Sequence, residues 1–502
     1  MKSYVRDCIG VVLLVLSVSV SILAQETPPA HPTVPAPADT DGAPLTLGEA
    51  VRRALERGFD LELQSYPLQN SRDDVLIAQS AFSPTLTANA GKNVASTAAT
   101  DVLPVTTISG VTSGVNLQER LPTGTSVGIG TNLNRIDTSA SATSLYDSGV
   151  TLSLTQPLLR GFGRRVTTAG VRSAEIGLNN AQRTYLDGAL SVIQQTEKVY
   201  YGLAGAREQL AVVRASLTLA EKLLQEAQGK HRAGMATKLD ELQAEVGVAS
   251  ARNNVLLAQS AAKSAEDSLL ALLGRFEFDR TLGPAVLDDR EADPSPRVEI
   301  AYAYALAHQP AYLNALANID LAKISLQTAQ DRLKPELDLS VGFNFNGADT
   351  STRAAFDNAF IADNRGWQAG LALTYPLGRM AEKAQFRQAR STLSQQELGV
   401  EQLEQNILVQ VRGAVRDVAT SEEAVKLASQ SVDLSARQYE LENARFKAGL
   451  STGRIVLQAQ DDLEKARVAL VQAKLNRRMS YSALRRIEGS GLERYGIELR
   501  LP

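Results

Sequence analysis

Two kinds of hydrophobic pattern alternate along the chain, and the first repeats every seven residues. Between about 170 and 229, one position of this repeat is held by Leu178, Tyr185, Val192, Val199, Ala206, Val213, Ala220 and Ala227, and another by Leu203, Leu210, Leu217 and Leu224. A sustained period of 3.5 residues predicts coiled-coil helices, and the alanines allow the helices to approach closely. As one helix this stretch would be roughly 90 Å long, which is more than a compact domain can hold.

The second pattern alternates apolar residues with small or polar ones and predicts β-strands at 84–158 and 335–377. "PELDLSVGFNF" places Leu337, Leu339, Val341, Phe343 and Phe345 on one face, and "WQAGLALTYPL" does the same with Trp367, Ala369, Leu371, Leu373, Tyr375 and Leu377. Runs of about 9 to 11 such residues with aromatic residues near their ends are typical of transmembrane barrel strands. The expected membrane-barrel aromatic residues are Phe343, Phe345, Trp367 and Tyr375. Alternation alone is equally compatible with a soluble β-sandwich.

Strand number favours a barrel shared between chains. About four strands cannot close a barrel within one chain, and open sheet edges are not tolerated in lipid. The count itself is open, because 73 residues separate Pro84 from Pro157 but only 41 separate Pro335 from Pro376. The longer region holds an additional hairpin-like piece near 115–133, which would add strands or fold over the barrel. In the simplest register Glu119 of this piece would face lipid.

The two halves of the chain repeat each other. Gly234 and Gly449 each interrupt a long apolar-periodic stretch, and they lie 215 residues apart. At that offset 195–274 aligns with 410–489 without a gap. Each half therefore reads as a helix, strands, a long helix, a glycine-centred turn and a return helix, which predicts a two-copy repeat.

These patterns divide the chain into five segments. A basic start, an apolar run too short for a comfortable membrane span and a small residue at Ala24 predict a signal peptide. The predicted segments are a signal peptide at 1–24, a proline-rich tether at 25–46, a first repeat at 47–283 with its tip near 234, a linker at 284–297, and a second repeat at 298–502 with its tip near 449. The expected fold class is α+β and mostly α, with long coiled-coil helical hairpins and β-strands in each repeat.

Composition and isolated motifs narrow the function classes. The chain is 44% apolar and 21% charged, which argues against disorder, and its net charge of -3 argues against nucleic acid as a partner. The only cysteine, Cys8, falls in the leader, so no disulfide framework is expected. Histidines 31, 231 and 308 have no carboxylate or thiol at ligand spacing, and "GFGRR" at 161–165 lacks the Lys-Ser/Thr of a phosphate loop. The sequence therefore predicts no metal, no cofactor and no enzyme.

Together these residues resemble the TolC-like outer-membrane efflux protein family. The strand-to-helix passages "TQPLLRGFG" and "TYPLGRM" and the tip motifs "RAGMATKLDELQA" and "KAGLSTGRIVLQA" carry the resemblance, which covers nearly the whole chain after the tether. The resemblance implies a homotrimer in the outer membrane of a Gram-negative-type envelope. Strands from three copies would form one β-barrel in outer-membrane lipid, and their helices would form one periplasmic α-barrel. Such a channel exports substrate passively in a tripartite efflux pump or a type I secretion system.

The resemblance also implies partners and gives the tips a role. A periplasmic adaptor, or membrane fusion protein, would dock there and connect the channel to an inner-membrane transporter of the RND, ABC or MFS type. The expected docking residues are Ala233, Gly234, Met235, Ala448, Gly449 and Leu450. The two glycines would supply the left-handed conformation that ends a helix, and Thr237 and Thr452 would cap the next helix. Ordinary hairpin turns without a partner are the alternative.

The gate departs from the family pattern. Where family members carry acidic residues just past the second tip, this chain has Ile455 and Gln458. The gate candidates are Asp240, Glu241, Ile455, Gln458, Asp461 and Asp462. An apolar gate, a gate of first-copy acids and a wider opening all stay possible, and Asp240 also fits a solvated helix start.

One competing class of function is a non-conducting coiled-coil structural or surface-fibre protein of the envelope. A fibre predicts one long uninterrupted stalk that purifies without detergent. Strands interleaved with duplicated helical hairpins predict a tunnel instead.

Overall fold

The computed structural model describes residues 45–97, 106–139, 141, 143–274, 282–283, 285, 296–361, 364–499 and 501. The predicted signal peptide at 1–24, nearly all of the predicted tether at 25–46 and most of the predicted linker at 284–297 lie outside the described residues. All elements below belong to the compact unit that runs from Pro44 to Pro502.

Helices make up most of the described chain. In chain order they are α1 (Leu47–Arg57), α2 (Phe59–Ser80), α3 (Arg164–Thr167), α4 (Ala169–Arg232), α5 (Lys238–Leu273), α6 (Val298–His308), α7 (Pro310–Asp331), α8 (Thr352–Ala359), α9 (Met380–Lys447), α10 (Gly453–Glu488) and α11 (Gly491–Arg494). Among the helices that the structure describes, none combines the length and the hydropathy needed to cross a lipid bilayer.

The two long hairpins confirm the predicted repeat. Helices α4 and α9 have 64 and 68 residues, and their partners α5 and α10 both have 36. Both the last residue of the long helix and the bounds of the return helix coincide at the 215-residue offset. At 1.5 Å per residue the long helices extend about 100 Å without interruption, as the seven-residue pattern predicts.

The four long helices lie in the row α5, α4, α10, α9, with neighbours running in opposite directions. Two stripes of α4 make this possible. Ala220 packs on Val248 and Ala251 of α5, while Leu223 packs with Phe446 and Val456 of the second hairpin. The seven-residue spacing keeps each stripe facing one neighbour along the helix.

In the part of the chain that the structure describes, six antiparallel strands form one sheet in the order of the chain. They are β1 (Thr85–Thr97), β2 (Thr106–Arg120), β3 (Ser126–Thr138), β4 (Leu145–Pro157), β5 (Glu336–Asp349) and β6 (Arg365–Thr374). The additional hairpin predicted near 115–133 is β2–β3 and is part of the sheet, so the described residues form four strands in the first repeat and two in the second.

Strand register separates the side chains into an apolar face and a polar face, because residues paired across strands point to the same side. One row across the sheet is Leu86, Leu117, Ile129, Leu152, Phe343 and Trp367. The adjacent row is Thr87, Asn116, Gly130, Thr151, Asn344 and Gly366. Glu119 pairs with Val127 on the apolar face, at the end of β2.

Helix α8, which the sequence patterns did not predict, lies in the connection between β5 and β6. Ser351 caps it by accepting a hydrogen bond from the amide of Ala354 at 3.3 Å. Ala355 and Ala359 are fully buried against Gly347 of β5, where a Cβ atom would collide with the helix backbone. Small residues on both elements therefore let α8 pack closely on the apolar face.

A buried carboxylate joins the strands to the helices. Asp331, at the end of α7, is 4% exposed and accepts a hydrogen bond from the amide of Gly161 at 2.6 Å. Its other oxygen pairs with Lys334 at 2.7 Å. Because Gly161 follows β4 and Asp331 precedes β5, these contacts connect the two repeats where strands become helices.

A second buried carboxylate lies midway along the helices. Glu197 of α4 is 3% exposed and pairs with Arg485 of α10 at 3.3 Å. The same oxygen, Oε1, accepts a hydrogen bond from the hydroxyl of Tyr495 at 2.5 Å. Burial, together with this carboxylate, raises the pKa of Tyr495. The C-terminal segment is therefore attached to the helix row through Glu197.

Candidate functional site

The first tip is a helix ending of the type its glycine predicts. Gly234 follows α4 with φ of 73°. The amide of Gly234 donates to the carbonyl of His231 at 3.0 Å, and that of Met235 donates to Lys230 at 2.8 Å. This left-handed ending satisfies the last carbonyls of the helix and turns the chain back toward the strands.

The second tip repeats this geometry. Gly449 follows α9 with φ of 79°. The amide of Gly449 donates to the carbonyl of Phe446 at 3.0 Å, and that of Leu450 donates to Arg445 at 2.8 Å. The duplicated motif therefore folds into duplicated turns, and the tips lie together at one end of the helix row.

The two return helices begin differently, and this corrects the prediction that Thr452 caps α10 as Thr237 caps α5. Thr237 and Asp240 form a capping box: the amide of Asp240 donates to Thr237 Oγ1 at 3.3 Å, and the amide of Thr237 donates to Asp240 Oδ2 at 2.9 Å. Thr452 occupies the same position before α10, but its side chain makes no capping hydrogen bond. Three positions later the second copy has Ile455 in place of an acid, so no capping box can form there.

The six predicted docking residues are all exposed. Met235 and Leu450, at equivalent positions of the two turns, expose 73% and 72% of their surface. Each tip therefore presents one large apolar side chain to its surroundings. Since Gly234 and Gly449 have positive φ, any other residue would strain these turns.

Contacts between the hairpins tie the tips together, and the sequence patterns did not point to them. The ammonium of Lys230 on α4 donates to the carbonyl of Phe446 on α9 and lies 3.6 Å from the centre of the Phe446 ring. In the opposite direction, Lys447 pairs with Glu226 of α4 at 3.4 Å. Burial, with Glu226 nearby, raises the pKa of Tyr439. We call the contacts made by Lys230, Phe446, Lys447 and Glu226 the tip latch.

The predicted gate residues occupy three different environments. Asp240 closes the capping box, and its hydrogen bonds with Thr237 lower its pKa. Glu241 is mostly covered and pairs with Lys238 at 3.0 Å. Ile455 is 47% exposed near the second tip. These three therefore lie in the first turns of the return helices.

The remaining gate candidates lie further along α10. Gln458 donates to Asp462 at 3.1 Å on the helix surface. Asp461 lines a groove of about 480 Å³ between α5 and α10, together with Arg454 and Glu464. Partial burial raises the pKa of Asp461, Lys465 opposes that shift, and Asp462 adds to it. Within the described residues, no group of three or more His, Cys, Asp or Glu side chains could hold a metal ion.

The predicted aromatic residues lie at the strands. Phe343 and Trp367 are paired on the apolar face, and Trp367 is 75% exposed. Phe345 stacks on Phe360, just after α8, with ring centres 6.3 Å apart. Tyr375 lies one residue beyond β6 and accepts a hydrogen bond from Arg379 at 2.6 Å. Three of the four therefore lie on the apolar face, and Tyr375 lies at the passage to the helices.

Comparisons with known proteins agree with this architecture. The model of the family described as outer membrane efflux protein matches residues 50–275 and 301–490. The pyoverdine export outer membrane protein OpmQ of Pseudomonas aeruginosa is 26% identical over 332 residues, covering 64% of this chain and 66% of its own. The outer membrane efflux protein BepC of Brucella suis is 26% identical over 333 residues, covering 65% and 68%. The matched part thus spans about two thirds of the length of these relatives.

A solved structure shares the fold across most of the chain. The outer membrane protein VceC of Vibrio cholerae superposes with a TM-score of 0.66 at 17% identity, covering 88% of this chain and 96% of its own. Long helical hairpins with antiparallel strands are therefore common to both proteins.

Proposed function

Since this chain belongs to the outer membrane efflux protein family, we propose that three copies of it close one β-barrel in the outer membrane and one helical tunnel in the periplasm. Family membership makes the chain an outer-membrane efflux channel and not an enzyme. The single observation that carries the proposal is that the sheet and the helix row of one copy each have two open edges, and that the two edges of each layer run in opposite directions.

At the sheet, the open edges are β1 and β6. Strand β1 runs away from the helices and β6 runs back toward them, so β6 of one copy beside β1 of the next continues the antiparallel order. The open edges of the helix row, α5 and α9, also run in opposite directions and can continue the row in the same way. Lipid does not tolerate an unpaired strand edge, and a closed ring removes both edges.

Apolar stripes on the edge helices support this closure. Leu427, Leu434 and Leu441 of α9 are 58% to 65% exposed and recur every seven residues. On α5, Leu256 is 64% exposed and lies away from both the face that packs on α4 and the groove toward α10. Such a repeat is a coiled-coil seam without a partner, and a neighbouring copy supplies the partner.

The tips are the proposed docking surface for a periplasmic adaptor, which connects the channel to an inner-membrane transporter that supplies the energy. Met235 and Leu450 are the large apolar side chains of this surface. Buried apolar anchors at the centre of a contact provide most of its affinity. Two equivalent turns in each of three copies give six similar sites for adaptor hairpins.

The tip latch is proposed to hold the tunnel closed. Its contacts join α4 of the first hairpin to α9 of the second, so one hairpin can move outward only when they break. One oxygen of Glu226, Oε2, is buried without a hydrogen-bond partner in the described part of the chain. An unsatisfied carboxylate oxygen costs free energy, and opening relieves that cost by admitting water.

Conductance of the purified full-length protein in planar bilayers tests the proposal. We expect detergent-dependent purification, a trimeric mass and discrete channel events after reconstitution. A protein that stays monomeric and folded in plain buffer would refute the trimer.

Docking at the tips has its own test. The double variant Met235→Glu with Leu450→Glu should lose adaptor-dependent export but keep its trimeric mass and bilayer conductance. The matched control exchanges the two side chains, Met235→Leu with Leu450→Met, which keeps both turns apolar. Equal export by the charged variant and the control would place the docking surface elsewhere.

A further inference from the structure

The sheet and the helix row of one copy have nearly the same width. Six strands about 4.8 Å apart and tilted by about 40° cover an arc of roughly 38 Å. The four long helices cover roughly 32 to 40 Å at interaxial distances of 8 to 10 Å. Without the β2–β3 hairpin, four strands would cover only about 25 Å. This hairpin therefore brings the sheet to the width of the helix row.

We propose that the β2–β3 hairpin widens the membrane pore to the bore of the helical tunnel, so that bulky water-soluble cargo that fits the tunnel also crosses the outer membrane. This inference rests on the trimer proposed above. Three copies of the six-stranded sheet close a barrel of eighteen strands, with a backbone diameter of about 36 Å. A side-chain layer of about 5 Å on each wall leaves a bore of about 26 Å, whereas four strands per copy would leave about 14 Å.

The two faces of the sheet decide which side lines this bore. In a transmembrane barrel the apolar side faces lipid and the polar side faces water. The middle of the polar face carries uncharged residues such as Thr87, Asn116, Thr151 and Asn344. On the described strands, charged residues of this face lie near the strand ends, at Arg120, Asp147, Glu336 and Asp338. The wall is therefore polar and largely neutral.

Side chains of the polar face also lie along the wall, which preserves the width of the bore. A Cβ atom on Gly149 would come within 2.8 Å of Oδ1 of Asn132 and 3.0 Å of Oδ1 of Asn346. The asparagines of both neighbouring strands therefore occupy the space above this glycine. A side chain that lies flat over a glycine takes less of the bore than one that projects into it.

Removing the hairpin tests the size of the pore. Replacing residues 97–143 by Asn-Gly sets Ser96 opposite Ser144 across a two-residue turn. Even-numbered residues of β1 and β4 then stay on the apolar face. If each copy keeps four strands, single-channel conductance through the barrel should fall about threefold, the ratio of the two bore areas. Polymers of increasing size, added at the outer mouth, should enter the native pore up to a radius of about 13 Å and the shortened pore up to about 7 Å.

Strand number can also be counted directly, which keeps the inference testable if the shortened variant does not fold. Cryo-electron microscopy of the native protein in nanodiscs should show eighteen strands around one axis. Any other number, or a native polymer cut-off near 7 Å, would overturn the inference. A trimer with eighteen strands that never conducts, even when its tips are opened by substitution, would instead contradict the proposed function.

Cysteine labelling identifies the face that lines the bore. Because Cys8 is the only cysteine and lies in the predicted leader, single cysteines can be placed on the strands without competing thiols. Thr151→Cys on the polar face should react with a membrane-impermeant thiol reagent, and Leu152→Cys, its neighbour on the apolar face, should not. The reverse result, or equal labelling of both, would overturn the assignment of the polar face to the bore.

Discussion

Removing the charge of Lys230 should open the tip. The variant Lys230→Met keeps a side chain of similar length against the Phe446 ring but loses the charged hydrogen bond and the cation–π contact. A hydrogen bond from a charged donor contributes about 1.5 to 3 kcal/mol, and a cation–π contact contributes about 0.5 to 2 kcal/mol. The Phe446 carbonyl keeps a partner in the variant, because it also accepts the amide of Gly449 at 3.0 Å. We therefore expect the closed tip to lose about 2 to 3 kcal/mol per copy.

Single-channel recording in planar bilayers measures this loss. A change of 1.4 kcal/mol is a factor of ten in an equilibrium constant, so the open-to-closed ratio should rise about 30- to 140-fold for each copy that opens independently. The control is Lys222→Met, which removes an exposed lysine from the same helix two turns earlier. Phe446→Leu keeps the backbone carbonyl and should have a smaller effect than Lys230→Met.

An unchanged open probability in Lys230→Met, with a trimer of native mass, would refute the latch. The same conclusion would follow if Lys222→Met opened the channel equally, because loss of any positive charge on α4 would then be sufficient. A larger opening in Phe446→Leu than in Lys230→Met would assign the closed state to apolar packing.

Three further predictions follow from the helix ends and the buried charges. Thr237→Ala should destabilise the start of α5 by about 1 kcal/mol, and Thr452→Ala should change α10 much less, as measured by hydrogen exchange of the first-turn amides. Glu197→Ala should lower the stability of the helix row by about 3 to 5 kcal/mol, because it leaves Arg485 buried without its carboxylate; the loss of helical circular dichroism on heating measures this. Burial raises the pKa of the Asp461 carboxyl, so the folded chain binds the carboxyl proton more tightly than the unfolded chain does. The protonated carboxyl therefore stabilises the fold at low pH, and this stabilisation is lost as the pH rises through the pKa of the folded chain. Asp461→Asn should therefore be more stable than the native chain at pH 7, with the difference vanishing near pH 3.

Each of these predictions has an outcome that contradicts it. Equal exchange in both threonine variants would mean that the capping box does not stabilise α5. A Glu197→Gln protein as stable as the native chain would mean that the carboxylate charge is not needed beside Arg485. A stability difference between Asp461→Asn and the native chain that does not change with pH would assign the effect to packing.

The long helices and the two tip turns could be predicted from the amino-acid sequence. Heptads that include Val213, Ala220 and Ala227 predict a helix of roughly 90 Å, and the structure has α4 without interruption over 64 residues. The tip glycines predict their own positive φ, because few other residues adopt that conformation at a helix end. These features depend on local periods and on backbone preference, which a sequence carries directly.

Contacts between segments that are distant in sequence could not be predicted from local patterns. The tip latch joins Glu226 and Lys230 to Phe446 and Lys447, and neither pair has a spacing that marks it in the sequence. Helix α8 has only eight residues, and its alanines are buried because Gly347 leaves room for them. Thr452 lacks a capping bond although its turn matches that of Thr237, and the threonine at the cap position does not mark this difference.

The amino-acid sequence by itself determined the repeat, the helix lengths, the turns and the alternation of the strands, because each follows from the period of apolar residues or from glycine at one position. Only the tertiary structure decided the strand order, the number of six strands and the faces that they share. Those depend on which strand pairs with which, and a local period of two residues does not mark the partner of a strand when the partner is distant in sequence, as β5 is from β4. The width of the pore is therefore a property of the assembled sheet.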